Sequence, residues 1–190
     1  MRRIPRGHTL VEMLIAMSIL VVIAGVAVRG LAGADAGQLE GAAGEVAGAL
    51  RFARTEAMRT GAWHGVDFGA PAGAERRIRV FRIAAASPTT PLFDVRHPVD
   101  KTLYDVALSA RAGTGSVTLS QAAFHYRAGS STVTREWVAF DASGTPDYYP
   151  DAATYAAHGD AVWINAVLLT QADRSRQVLL DPATGRVTAP

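Results

Sequence analysis

The chain of 190 residues contains no cysteine. That absence excludes structural disulfides, Cys-ligated zinc, thiol catalysis and the lipid-modified cysteine of a bacterial lipoprotein, while leaving the redox compartment open. Enzyme signatures are missing too: there is no H-E-x-x-H, no G-x-S-x-G and no phosphate-binding loop. His64, His97, His125 and His158 are scattered without metal-ligand spacing and read as surface or capping side chains. The expectation is a protein that is not an enzyme, with no catalytic residues, no metal and no cofactor. The length suits one folded domain with an extended appendage better than two full domains.

A true excess of positive charge is also lacking. The formal net charge is +2, but Arg2, Arg3 and Arg6 all lie in the first seven residues. Without them Lys+Arg falls from 19 to 16 against 17 Asp+Glu, a net of −1. The basic balance belongs to the first residues, and the rest offers little electrostatic attraction to an acidic partner.

What the sequence does have is a long apolar run. Leu10 to Val28 reads LVEMLIAMSILVVIAGVAV, with Glu12 as its one charge. About 19 residues is the length a helix needs to cross a bilayer core. Three arginines before it and Arg29 after it predict a cytoplasmic N-terminus and a translocated remainder. An ordinary secretory signal, cut after Ala32-Gly33-Ala34, or a plain membrane anchor would fit the hydropathy. Neither accounts for Glu12, since a carboxylate in lipid is costly and serves nothing in a segment destined for disposal.

The residues Gly7-His8-Thr9-Leu10-Val11-Glu12-Met13, placed directly before this run, resemble the leader-peptidase motif of type IV prepilins and type II secretion pseudopilins. The resemblance implies a cut by prepilin peptidase between Gly7 and His8, N-methylation of His8, and a hydrophobic segment retained in the mature protein. The family usually places phenylalanine where this chain has His8. Glu12 then becomes the fifth mature residue, and the new amine, on the same chain or on a neighbouring subunit, is the partner that a carboxylate among apolar helices requires.

After Val28 the composition shifts to glycine and alanine, with Gly30, Gly33, Gly37, Gly41, Gly44 and Gly48 recurring. Each glycine costs a helix up to about 1 kcal/mol relative to alanine, so this part is expected to bend or partly melt. Helical periodicity persists all the same: Leu39, Ala43, Val46, Leu50, Ala53 and Ala57 trace one apolar stripe suited to lie on a sheet. Gly61 is placed to end the helix in the left-handed conformation. The segment Arg51–Gly61, with its R-x-E-A-x-R pattern, and the C-terminal Thr184-Gly-Arg-Val187 are similar to the GspH/FimT group of minor pseudopilins.

Beyond Gly61 short strand-like runs predominate, at 63–68, 77–83, 104–108, 116–119, 137–140, 162–169 and 177–180. Breakers separate them, among them Ser87-Pro88, Gly129-Ser-Ser131 and Ser143-Gly-Thr-Pro146. Strands without intervening helices favour antiparallel sheet. The expected fold is α+β and pilin-like: a long N-terminal hydrophobic helix packed on a C-terminal antiparallel β-rich head. The expected organisation is a leader over 1–7, a transmembrane and filament-core helix over 8–30, a Gly/Ala-rich amphipathic helix over 31–60 and a periplasmic head over 61–190.

The family resemblance implies a minor pseudopilin or minor pilin in the inner membrane, its partners being other pilins, prepilin peptidase and the inner-membrane assembly platform. A second reading is a FimT-like DNA-binding minor pilin. Its candidate phosphate contacts are Arg77 and Arg79, in the basic run Arg76–Arg82, and Arg186 near the C-terminus. Against it, charge on an edge strand also serves to prevent unwanted sheet pairing.

Overall fold

The computed structural model describes residues 10–71, 74–84, 87–128, 131–147 and 165–190, without the side chains of 22–36, 87–89, 127–128 and 131–132. The chain divides into two compact units, Met1–Gly37 and Gln38–Pro190. One helix, α1 (Leu10–Thr60), runs through the boundary.

Over Leu10–Val21, where the first unit's side chains are described, α1 is apolar around its circumference apart from Glu12 and Ser18. Nine large apolar side chains between Leu10 and Val21 are 54–77% exposed. A helix without a polar face has no water-facing side and must be covered by lipid or by other helices. The apolar run continues past Val21 into side chains outside the described set; among the described residues, no helix is long and apolar enough to cross a membrane.

In the second unit the stripe read from the sequence is the buried face of α1. Leu39 is 6% exposed and Ala43, Val46, Leu50, Ala53 and Ala57 are fully buried. Alanine at so many of these positions lets the helix approach its neighbours closely. The glycines do not melt it: α1 is continuous across Gly37, Gly41, Gly44 and Gly48. The physical reason lies in Ala42, Val46, Ala47, Ala49 and Leu50, all buried around them, because tertiary packing outweighs a propensity cost of about 1 kcal/mol per glycine. Gly61 ends the helix at φ +68°, and its N–H donates to the Ala57 carbonyl at 3.0 Å.

Eleven strands follow among the described residues: β1 (His64–Asp67), β2 (Ile78–Ala84), β3 (Ser87–Leu92), β4 (Asp105–Val106), β5 (Thr118–Ala128), β6 (Ser131–Arg135), β7 (Trp137–Phe140), β8 (Pro146–Asp147), β9 (Asn165–Gln171), β10 (Arg174–Leu180) and β11 (Val187–Thr188). They form two antiparallel sheets, one ordered β3-β2-β1-β7-β8 with β4 also paired to β2, the other β11-β10-β9-β5-β6. The architecture is α+β.

Several departures from the sequence expectation have one cause. β3 runs through Ser87-Pro88, β6 begins at Ser131, and β8 begins at Pro146, all within expected breakers. Each lies at or near the end of its sheet order, where a missing N–H costs no ladder bond. The expected strand at 104–108 shrinks to two residues before a 3-10 turn, Leu108–Ala110. Residues 162–164 of the expected 162–169 strand lie outside the described residues.

Both sheets close over α1 in one core. Val66, Ile78, Val80, Val138 and Phe140 come from the first sheet, Phe68 follows directly after β1, and Phe124, Val167, Leu169, Val178 and Leu180 come from the second. Phe68 and Phe124 join them, their rings stacked at 5.8 Å. Phe81, Ile83 and Ala139 form a second cluster beneath Trp63 and Trp137. On β2 the two sets alternate, so one strand supplies both faces.

Candidate functional site

The features singled out in the sequence fall at two places. Gly7 and His8 lie outside the described residues. Glu12 sits in the first turn of α1, exposed among exposed apolar neighbours. The first turn carries unbonded N–H groups and the positive end of the helix dipole, which favour a carboxylate by about 0.3–1 kcal/mol. His8, four positions before Glu12 in the sequence, lies outside the described residues. Six residues beyond Glu12, Ser18 Oγ donates to the Leu14 carbonyl at 2.8 Å, so its hydroxyl is satisfied within the helix and costs little in an apolar setting.

The arginine run behaves differently from a phosphate-binding patch. Arg76 pairs with Glu136 at 2.5 Å, Arg77 Nε with Asp105 at 2.5 Å, and Arg82 with Asp94 at 2.6 Å. Arg79 pairs with Asp67 and its guanidinium lies 4.6 Å from the Phe93 ring centroid. Four arginines therefore meet four carboxylates from other segments. The Arg82 guanidinium holds the Asp94 carboxyl below its ordinary value. An incoming phosphate would have to displace a carboxylate from each.

Arg186 is exposed and stands apart from this cluster. It follows a tight turn in which Asp181 Oδ1 accepts from the backbone N–H of Ala183 and Thr184 and from Thr184 Oγ1, at 2.8–3.0 Å. These donors, Thr184 first, hold the Asp181 carboxyl below its ordinary value. Gly185 closes the turn at φ +67°. Asp141 builds a similar turn, accepting from Ser143 N, Ser143 Oγ and Thr145 N, closed by Gly144 at φ +80°.

Both turns converge on α1 at Arg54. Its Nε donates to the Gly144 carbonyl at 3.0 Å. A Cβ on Gly185 would stand 2.6 Å from that same carbonyl and 3.1 Å from Arg54 Nε. One turn earlier, Arg51 donates to the Val187 carbonyl at 3.2 Å. The last hairpin of each sheet is thus pinned to the helix, a convergence that sequence reading missed. The paired D-x-S-G and D-P-A-T-G segments were its visible signal.

The histidines are explained by local structure. His64 is 4% exposed, its Nδ1 3.0 Å from the Ala62 carbonyl. His97 packs edge-on against Tyr104 with centroids 4.7 Å apart, and His125 Nδ1 lies 2.9 Å from Thr134 Oγ1. His158 lies outside the described residues. Among the described residues, no group of three or more His, Asp or Glu is placed to hold a metal ion.

Comparison with known proteins agrees with the N-terminal reading. Residues 2–28 match the family model described as the prokaryotic N-terminal methylation motif. The matched stretch includes Gly7, His8 and Glu12. No curated protein matches the chain. Among solved structures, the type IV minor pilin FimU of Pseudomonas aeruginosa is similar at 16% identity, covering 80% of this chain and 87% of that one, with a TM-score of 0.41. That superposition is too loose to transfer any feature of the head.

Proposed function

We propose that the chain is a minor pilin or pseudopilin, a structural subunit of a type IV pilus or type II secretion filament, placed at or near its tip. The observation that carries this is the methylation motif over residues 2–28 opening a helix whose described side chains from Leu10 to Val21 are apolar on all sides apart from Glu12 and Ser18. Prepilin peptidase cuts between Gly7 and His8, and His8 becomes the N-methylated first residue. The segment 8–30 holds the chain in the inner membrane, with the head in the periplasm. The assembly platform then moves the helix from lipid into the filament core, where other pilins replace the acyl chains. Glu12 supplies register: it pairs with a terminal amine of the same or a neighbouring subunit, because an unpaired carboxylate in that setting is penalised by several kcal/mol.

Mass spectrometry of the membrane-extracted protein tests the cut: a mature chain starting at methylated His8 is expected, and one starting at Asp35 would refute the proposal. Glu12→Ala is expected to leave cleavage intact while abolishing recovery in sheared filaments; normal incorporation would overturn the role of the carboxylate. The DNA-binding alternative has less support, since Arg77 and Arg79 are both paired and Arg186 is the exposed candidate.

A further inference from the structure

Between β3 and β4 the chain closes into a small hairpin. Arg96 bridges Leu103, the His97 N–H donates to the Thr102 carbonyl at 2.8 Å, and the Lys101 N–H donates to the His97 carbonyl at 3.1 Å. Lys101 takes φ +60°, the left-handed region that a tight turn demands. At the tip Val99 is 82% exposed. The His97 side chain, by contrast, is only 12% exposed, its ring held edge-on by Tyr104.

His97 Nδ1 faces two groups that make opposite demands on it. The Val99 N–H donates to it at 3.3 Å, which requires an unprotonated nitrogen. Asp100 Oδ1 lies 3.4 Å from the same nitrogen, a contact that becomes an ion pair only when the nitrogen carries a proton. Two N–H groups cannot share one hydrogen bond. A proton on Nδ1 therefore expels the Val99 amide and draws in the carboxylate.

The remaining charges near the ring are matched elsewhere. His97 lines a cleft with Arg77, Asp105 and Arg111; Arg77 pairs with Asp105 and Arg111 with Glu45 of α1. Arg96 and Lys101 donate to backbone carbonyls of the hairpin itself. Burial holds the Tyr104 phenol above its ordinary value, so it stays neutral. Asp100 accepts from the Thr102 hydroxyl and N–H, bonds that hold its carboxyl below its ordinary value and keep it charged to meet the imidazolium.

We propose that His97 is a proton switch for the hairpin tip. With the ring neutral, Nδ1 anchors the Val99 amide and Asp100 leaves a net negative charge at the tip. When a solvent proton binds Nδ1, the Val99 N–H is released and His97 and Asp100 form a neutral pair. Histidine is the side chain whose charge changes between about pH 5 and 8. The switch goes beyond the filament reading and does not depend on it.

Nuclear magnetic resonance of the isotope-labelled full-length chain in detergent, titrated from about pH 8 to 5, tests it. Once corrected for the intrinsic pH dependence of exchange, the Val99 amide is expected to exchange about tenfold faster with the His97 ring protonated than with it neutral, as loss of one hydrogen bond implies. Its midpoint is expected to coincide with that of the ring signals. His97→Gln, which cannot titrate, is expected to make Val99 exchange independent of pH. Asp100→Asn keeps an acceptor for Thr102 but removes the charge, and is expected to keep Val99 protected to lower pH. This second variant decides the matter if the first misfolds. Unchanged Val99 exchange across the ring titration, acceleration that persists in a folded His97→Gln variant, or an Asp100→Asn profile identical to the parent would overturn the proposal.

Discussion

Replacing Gly65 by alanine adds one methyl group, and the structure predicts a large loss of stability from it. Gly65 lies in β1, between Phe81 on β2 and Ala139 on β7. The new Cβ would stand 2.3 Å from Phe81 Cζ and 2.4 Å from the Val138 carbonyl oxygen. The ring can turn. The carbonyl belongs to the β1–β7 ladder and cannot retreat without opening it. Overpacking in a well-filled interior costs about 1–3 kcal/mol, and loss of a ladder hydrogen bond adds about 1 kcal/mol. A total near 3 kcal/mol lowers the midpoint by about 6–12 °C in a chain of this size. Thermal unfolding followed by tryptophan fluorescence checks it, since Trp63 and Trp137 border the affected cluster. Gly44→Ala and Gly48→Ala are the controls: nothing lies within 4 Å of either new Cβ, and an unobstructed helical alanine adds about 0.5–1 kcal/mol. A midpoint for Gly65→Ala within a degree of the parent, or losses of equal size at all three glycines, would refute the packing argument.

Arg54→Ala should cost about 1.5–3 kcal/mol by removing a charge-assisted bond to a turn carbonyl, and limited proteolysis should then reach the 181–190 segment first. Gly185→Ala should destabilise by more than 1 kcal/mol, because the turn needs a left-handed residue there and a Cβ would press on the Gly144 carbonyl; chemical denaturation measures it. Asp94 and Asp181 both titrate below their ordinary 3.8 when folded. Their contribution is therefore complete above that value and lost as pH falls through the lowered folded values. Unfolding midpoints should hold from neutrality to about pH 4 and decline below it, and Asp181→Asn should flatten part of that decline.

The same physics explains which elements the sequence makes legible. The buried stripe of α1 was readable because six apolar positions repeat every three or four residues, and period alone fixes a helix face. The end at Gly61 was readable because a left-handed cap is a property of one residue. β3, β6 and β8 were not, since Pro88, Ser131 and Pro146 are locally turn formers, and only their positions at or near the ends of the sheets make them tolerable as strand residues. The glycine-rich part of α1 reads as weak for the same reason: propensity is local, whereas the burial that holds the helix comes from strands far along the chain.

At the N-terminus, the sequence by itself determined the motif, the apolar length and the lone glutamate, because leader recognition and hydrophobic partition act on contiguous residues. The fate of the basic run was decided by tertiary structure. Arg76, Arg77, Arg79 and Arg82 make a cationic string when read in order, yet their partners Glu136, Asp105, Asp67 and Asp94 come from three other strands or loops and from β1. Charge adds along a sequence but cancels in space, and only the fold brings the opposite signs within 3 Å. The convergence of two hairpin turns on Arg54 is likewise a fact of packing, since nothing at residue 54 announces that positions 144 and 185 will meet there.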